Sequence, residues 1–289
     1  MANTILTPSI IAKEALAVLR NNAVMANLVH RDFSNEFAAV GDTITVRKPA
    51  TFVAKEYTQS AGIDVQDATE TGVQVKIDKH LDVSFAVTSK EMTLDIADFS
   101  KQFLEPAMQA FADKIDAYLI ARASGSGVTN SVTSTGAKED MIAARKFLTK
   151  NAAPLTDRHY VYNAETEAEL LSTDLFVNAS AVGDEGTALR EASLGRKFGM
   201  DCYVDQNIAD ATTTGNAKAL AFHKNAFALV TRPLALPEGA AKASIENYDG
   251  FALRVVYGYD MNKKTDTISI DMLCGTAILD KKLAAKVVK

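Results

Sequence analysis

The stretch from Val73 to Thr88 constrains this chain most, because apolar and polar residues alternate along its whole length. Only Lys79 and the small Ala86 depart from the alternation. A period of two is typical of a half-buried β-strand. At ~3.3 Å per residue this strand would extend roughly 50 Å, against ~17–20 Å for an ordinary strand. Such a strand leaves a compact domain as an arm, so we expect a neighbouring chain to cover its apolar face.

A first strand precedes this stretch at residues 43–49, where alternation begins after a Gly-Asp turn and ends at Pro49. Proline cannot donate to a strand ladder, which confines it to a strand end or a sheet edge. The segment between the two strands is polar, and its acidic residues include Asp64, Asp67 and Glu70. Residues 43–88 therefore predict a long two-stranded β-ribbon with an acidic tip. An isolated ribbon is only marginally stable in water, so this one needs a surface to dock on.

Helical patterns flank the ribbon on both sides. Thr7 and Pro8 begin an amphipathic helix that runs to Arg20, and it could pack on its own core or on a neighbour. After the ribbon, residues 91–122 repeat apolar side chains at helical spacing, which predicts a helix of roughly 48 Å at 1.5 Å per residue. Pro106 would kink this helix or mark a join between two pieces.

The second half of the chain alternates short helices and strands. We predict helices at residues 138–150 and, capped by Asn163, at 165–171; strands at 159–162, 200–204 and 219–230; and a hairpin of 251–259 with 267–274. The fold class is therefore α+β.

No motif for catalysis, cofactor binding or metal binding occurs. The histidines, His30, His80, His159 and His223, lack the spacing of metal ligands, and we interpret His223 as a core histidine rather than a base. Residues 195–199 read GRKFG, which is not a phosphate-binding loop, and no GxSxG motif occurs. We therefore predict no catalytic, cofactor-binding or metal-binding residue, no cofactor and no enzymatic activity.

Composition argues against several binding partners and against an oxidising compartment. The net charge is −5 and no cluster of five or six basic residues occurs, which argues against a nucleic-acid-binding face. Cys202 and Cys274 belong to no CxxC pair and fit reduced thiols better than a disulfide or a zinc site. No apolar run reaches the ~18–20 residues of a membrane span, and residues 1–6 do not form a secretion signal. We expect no membrane contact and expect the chain to stay in the compartment where it is made.

The order of helical arm, β-ribbon, long helix, mixed middle and closing strands resembles the major capsid protein of tailed bacteriophages, whose fold is shared with herpesvirus capsids and encapsulin shells. Within that family the chain is most similar to the coat proteins of short-tailed phages. The stretches that carry this resemblance read MANTILTP (1–8), GDTITVRKP (41–49), LGRKFGMDCYVD (194–205), AFHKNAFAL (221–229) and GFALRV (250–255).

The resemblance implies a division of the chain into five parts. These are an N-terminal arm (1–42), an extended β-ribbon loop (43–89), the spine helix of a peripheral domain (90–123), an axial domain (124–225) and C-terminal strands that return to the peripheral domain (226–289). It also implies a function: self-assembly, through pentamers and hexamers, into the icosahedral shell that encloses phage DNA. The implied partners are copies of the chain itself, with a scaffolding protein and a portal as candidates, and packaged DNA without sequence-specific contact. The implied location is the virion capsid.

Charge separation along the β-ribbon suggests where copies of the chain meet. We expect the acidic tip (Asp64, Asp67, Glu70) to dock on basic residues of a neighbour. The candidate acceptors are Arg20, Arg31 and Arg47.

Two other functions remain open from the sequence. An encapsulin-like compartment would have the same fold with an enzyme as cargo. A ligand-binding module whose ribbon merely joins two copies would instead have a deep, dry pocket.

Overall fold

The computed structural model describes residues 8–31, 43–48, 52, 54–57, 59, 62, 63, 65, 71–88, 103–125, 128–173, 176, 192–208, 217–239, 242–248 and 251–288. Its helices are α1 (Pro8–Asn22), α2 (Met25–Leu28), α3 (Glu105–Ser124), α4 (Ala137–Lys150) and α5 (Ala164–Leu171). Its strands are β1 (Thr43–Lys48), β2 (Thr71–Lys76), β3 (Lys79–Thr88), β4 (Ser131–Thr133), β5 (Arg158–Tyr162), β6 (Arg196–Lys197), β7 (Met200–Val204), β8 (Ala217–His223), β9 (Phe227–Arg232), β10 (Lys242–Tyr248), β11 (Phe251–Asp260), β12 (Thr265–Ile278) and β13 (Ala284–Val288). None of the described helices is long and apolar enough to cross a membrane.

The described strands form three sheets. β1 and β2 make an antiparallel ribbon. A five-stranded sheet has the order β10-β11-β12-β3, and β9 pairs with the far end of β12. A six-stranded sheet has the order β4-β13-β8-β5-β7-β6, in which β5 and β7 are parallel. The mixed helix and sheet content agrees with the predicted α+β class.

The main core lies where α1 and α3 pack on the sheets. α3 directs Phe111, Ile115 and Leu119 into it, and β12 contributes Ile268 and Ile270 from alternate positions. Each such side chain, buried completely, stabilises the fold by about 1.5–3 kcal/mol. Phe222 and Leu220 of β8 join the same cluster, so α3 contacts both sheets.

The other face of the six-stranded sheet is covered by α4 and α5. Tyr160 and Tyr162 of β5 point to this side and pack with Met141 and Leu148 of α4. Lys218 is buried there, and its Nζ lies 2.9 Å from Asp140 and 3.3 Å from Glu169. Since an unpaired buried ammonium would be costly, these carboxylates fix where both helices sit on the sheet.

The predicted single strand from Val73 to Thr88 is wrong. The chain forms two strands that separate at Ile77 and Asp78: β2 stays with β1, and β3 pairs with β12 from Lys79 onward. The crossing happens over Gly275, where a Cβ would collide with the carbonyl oxygen of Lys76 and lie 3.0 Å from the Cα of Ile77. A glycine at this point of β12 lets the ribbon pass across the sheet and leave it.

Of the elements predicted for the second half of the chain, some are confirmed and others are corrected. The helices at 138–150 and 165–171 and the hairpin of β11 and β12 are confirmed, and Asn163 Oδ1 accepts a hydrogen bond of 3.0 Å from the amide of Thr166. The strand expected at 219–230 is two strands, because a 3-10 turn at Lys224–Ala226 carries the chain from one sheet to the other. Strands after residue 226 do not all return to one sheet, since β13 pairs with β4 and β8.

The long helix is described only from Glu105 to Ser124, and residues 91–102 lie outside the described part of the chain. Pro106 occupies the first turn of α3 rather than its interior. At that position the missing amide hydrogen has no partner within the helix, so Pro106 interrupts no hydrogen bond of α3.

The N-terminal helices pack on the chain's own core. Ile11 and Leu19 of α1 are fully buried in the main core. Asp116 of α3 then holds the start of α2, because its carboxylate accepts hydrogen bonds from the amides of Val24 (2.7 Å) and Ala26 (2.8 Å). Of the two alternatives for this segment, packing on the own subunit is therefore the one observed.

Asp116 is 2% exposed. Burial raises its pKa to about 7, with the charge of Asp205 acting in the same direction, while the amides of Val24 and Ala26 lower it. A buried carboxyl with a raised pKa binds its proton more tightly in the folded than in the unfolded chain. Stability from this group is therefore full at acidic pH and is lost as the pH rises from about 4 to about 7.

We expect Asp116→Asn to destabilise the subunit, because an amide can accept only through Oδ1 and one of the two backbone amides loses its acceptor. The deficit relative to wild type should be largest near pH 5 and should shrink by up to about 1.4 kcal/mol per pH unit toward pH 7. Urea unfolding at several pH values measures it. Asp113→Asn, at an exposed position of the same helix, is the control. A deficit that grows with pH would contradict the assignment.

Gly275→Ala should destabilise the subunit by about 1–3 kcal/mol, because the added methyl group must displace the backbone of the crossing ribbon. Gly258→Ala in β11 is the matched control, since a Cβ there meets no atom within 4 Å. Chemical unfolding of the two variants measures the difference. Equal stability of both would show that the crossing is not tightly constrained.

Candidate subunit interface

The segment between β1 and β2 carries apolar side chains that the described part of the subunit leaves uncovered. Phe52, Tyr57, Ile63 and Val65 are 64%, 67%, 82% and 81% exposed. Exposed apolar surface on this scale is typical of a surface that another molecule covers. This segment, residues 49–70, is called the arm below.

The described part of the subunit covers the ribbon only at its base. Val75 and Ile77 are buried against Ala228, Val230 and Ala277. Val73, one step further along the same face, is only half-buried. Burial of the ribbon's apolar side chains thus ends along β2. Beyond that point, the described residues of the subunit do not bury the apolar side chains of the arm.

The predicted acidic tip and its acceptors are only partly visible. Asp64, Asp67 and Glu70 lie outside the described residues. Arg20 and Arg47 lie on α1 and β1, but their side chains are also outside the description.

Arg31, the third candidate acceptor, is half-buried, and its guanidinium lies 4.7 Å from the centre of the Phe251 ring. This cation–π contact already engages Arg31 within its own subunit. The pairing of the tip with the three arginines therefore stays a prediction.

One polar cluster was missed from sequence. Asp271 is buried on β12, and its carboxylate accepts hydrogen bonds from Arg254 of β11, from Nε at 2.9 Å and from Nη2. His80 of β3 has its Nε2 3.4 Å from Asp271 Oδ2. These groups tie three strands together. The strand register places Arg254 directly opposite Asp271, whereas His80 lies opposite Leu273 and reaches Asp271 diagonally.

The remaining histidines and cysteines serve packing. His223 is buried and its Nδ1 accepts a hydrogen bond of 3.1 Å from the amide of Asn225, which agrees with the core role predicted for it. Burial lowers the pKa of His159, opposed by the charge of Asp201. Cys202 and Cys274 are free thiols. Across the described residues no group of three or more metal-ligating side chains converges.

A cleft of about 400 Å³ lies between the base of the ribbon and the end of α3. Its lining includes Val73, Gln74, Arg122, Ile278 and Lys281. It is open to solvent and mixes polar with apolar groups, whereas small-molecule sites are mostly enclosed and apolar. The cleft therefore gives no support to the ligand-binding alternative.

The chain was compared with known proteins. No protein-family model and no curated protein matches it. Among solved structures, one from Mycobacterium phage Che8 is 20% identical with a TM-score of 0.67, over 92% of this chain and 90% of that one. The capsid structure of the cyanophage P-SCSP1u is 14% identical with a TM-score of 0.64, over 92% and 88%.

The capsid of the native GTA particle is 14% identical with a TM-score of 0.59, and the match spans 99% of this chain and 93% of that one. At these identities the similarity concerns the path of the backbone rather than individual side chains. It covers nearly the whole chain in each case, so no large part is left to a different architecture. The chain has the fold of the phage capsid proteins.

Proposed function

We propose that this chain is the major capsid protein of a tailed phage or a related particle, and that its copies assemble into a closed icosahedral shell around DNA. The observation that carries the proposal is the capsid fold over at least nine-tenths of the chain. The exposed apolar arm supports it independently. A shell subunit needs large self-complementary surfaces that join head to tail and close into rings.

Roles for the parts of the chain follow from this proposal. The ribbon and arm, residues 43–89, would be the extended loop that lies over a neighbour, and α3 would belong to the spine helix of the peripheral domain. The six-stranded sheet with α4 and α5 would form most of the axial domain, which meets its copies at the centre of pentamers and hexamers. Scaffolding protein, portal and packaged DNA are the further partners, the virion capsid is the location, and synthesis takes place in the host cytoplasm. No catalytic step is part of the proposal.

The chain expressed alone, and together with a candidate scaffolding protein, should give closed shells or rings of five and six subunits. Negative-stain electron microscopy with light-scattering mass measures this. Shells that co-purify with an enzyme would indicate an encapsulin-like compartment instead. A clean monomer or dimer that persists with the scaffold would overturn the shell proposal.

Reversal of the tip charges, Asp64→Lys with Asp67→Lys and Glu70→Lys, should impair assembly and leave the monomer folded, because the tip then repels a basic acceptor. The fraction of chain in shells, together with circular dichroism of the monomer, measures it. A matched control, Glu139→Lys with Glu165→Lys and Glu238→Lys, changes the net charge equally away from the arm. Normal shells from the tip variant would contradict docking of the acidic tip on a basic surface, and would leave the assigned fold unaffected.

A further inference from the structure

The loop between α4 and β5, residues 151–157, is held in an unusual conformation. Ala152 and Asp157 have φ values of 56° and 50°. Residues with a Cβ rarely adopt this left-handed region, and such residues concentrate where a loop has a function. The loop is nevertheless well anchored, because Ala153 donates its amide to Leu148 O (3.0 Å) and Asp157 O accepts from the amide of Lys224 (3.0 Å).

A buried arginine maintains this conformation. Arg158 donates hydrogen bonds from Nε to Pro154 O (2.6 Å), from Nη2 to Ala153 O (2.7 Å) and from Nη1 to Thr149 Oγ1 (3.1 Å). No carboxylate among the described residues forms an ion pair with it. Burial lowers the pKa of Arg158, and the charge of Arg145 lowers it further. The compensation comes from two carbonyl groups of the loop, those of Ala153 and Pro154, and from the Thr149 hydroxyl in the last turn of α4. A costly buried cation thus serves to shape a surface loop.

The loop displays an apolar residue. Leu155 is 65% exposed, and Pro154 and Thr156 beside it are exposed as well. On the neighbouring helix Ile142 is 43% exposed. Lys146 and Lys150 follow it at i+4 and i+8 and are also exposed. Positions four apart lie on one face of a helix. We call this set, Ile142, Lys146, Lys150 and Leu155, the α4 stripe.

Exposed charges of both signs surround the α4 stripe, with Glu139 three residues before Ile142 and Asp157 two residues after Leu155. Arg145 is exposed next to it and donates through Nη1 to Phe198 O. Arg196 reaches the same turn, with its Nη2 3.5 Å from Gly199 O and its Nε 3.8 Å from Asp201 Oδ1. The two apolar residues of the α4 stripe, with Lys146 and Lys150 between them in sequence, fit a partner that is both apolar and acidic.

The arm has this chemistry. Phe52, Tyr57, Ile63 and Val65 supply exposed apolar side chains, and Glu56 is exposed between them. Residues 50–70 contain four acidic side chains against a single lysine, Lys55. The base of the ribbon packs on β9 and β12, in the other sheet from the one that α4 covers.

We propose that the α4 stripe receives the arm of a second copy of this chain, with its apolar residues against Ile142 and Leu155 and its carboxylates against Lys146 and Lys150. The proposal rests on the proposed function and names the receiving surface for the arm. It differs from the acceptors predicted from sequence, Arg20, Arg31 and Arg47. The held loop acts as a preorganised part of the contact, which reduces the ordering cost of docking.

Cross-linking tests the contact directly. Chains with Tyr57→Cys are co-assembled with chains with Leu155→Cys and oxidised, and covalent dimers are counted on a non-reducing gel. Because a disulfide requires Cβ atoms within about 4.5 Å, a contact near these positions should give dimers. Leu236→Cys, at an apolar position that is 50% exposed, replaces Leu155→Cys in the control. Shells without cross-linked dimers above this control, including when Phe52→Cys replaces Tyr57→Cys, would overturn the proposal.

A charge swap separates the two acceptor surfaces. Lys146→Glu with Lys150→Glu should lower the rate of assembly by roughly tenfold while the subunit stays folded, because two attractions become repulsions. Combined with the tip reversal (Asp64→Lys, Asp67→Lys, Glu70→Lys), this change should restore most of the rate. Lys263→Glu with Lys282→Glu, at exposed lysines elsewhere, is the control and should not restore it.

The outcomes distinguish this proposal from the one it rests on. Restoration by Arg20→Glu with Arg47→Glu instead, or by neither pair, would overturn the α4 stripe while shells still form. Failure of the wild-type chain to assemble, even with a scaffold, would overturn the proposed function and this inference with it.

Discussion

The pairing of β12 on both of its edges is the constraint on which the rest of the subunit depends. Its 14 residues pair with β11, β3 and β9, so its backbone groups are satisfied while its alternate side chains enter the core. β3 occupies one edge only as far as Cys274, and the glycine that follows lets the chain pass over the strand. The position at which the ribbon leaves the subunit is therefore set inside the sheet rather than by the ribbon itself.

Local signals made part of this structure predictable. Asn163 predicts the start of α5, because its side chain accepts a hydrogen bond from the backbone amide three residues on. The apolar spacing that predicts α4 lies entirely within the fourteen residues of that helix. The hairpin of β11 and β12 is joined by a short polar turn, so its partners are neighbours in sequence. In each case the residues that determine the element lie within it or beside it.

Contacts between distant residues account for what sequence missed. Nothing in the alternation of residues 73–88 marks the break at Ile77, because the cause is a strand almost 200 residues further on. Asp116 looks like one more polar residue of a helix, yet its hydrogen-bond donors are the amides of Val24 and Ala26, about 90 residues away. For residues 138–150 the sequence predicts only a helix, and Leu155 becomes conspicuous only once Arg158 fixes the loop that displays it.

The exposed arm and the strained loop belong together in energetic terms. A folded domain is stable by only about 5–15 kcal/mol. Uncovered apolar side chains, and a buried guanidinium with no carboxylate partner among the described residues, therefore cost one subunit a substantial part of its free energy of folding. The arm joins β1 to β2, whereas the loop joins α4 to the six-stranded sheet. A second copy that covers the arm would remove apolar surface from water and use the loop without further ordering. The same sequence can therefore keep the single subunit marginal and favour the assembled state, which is the balance that a shell built from many copies needs.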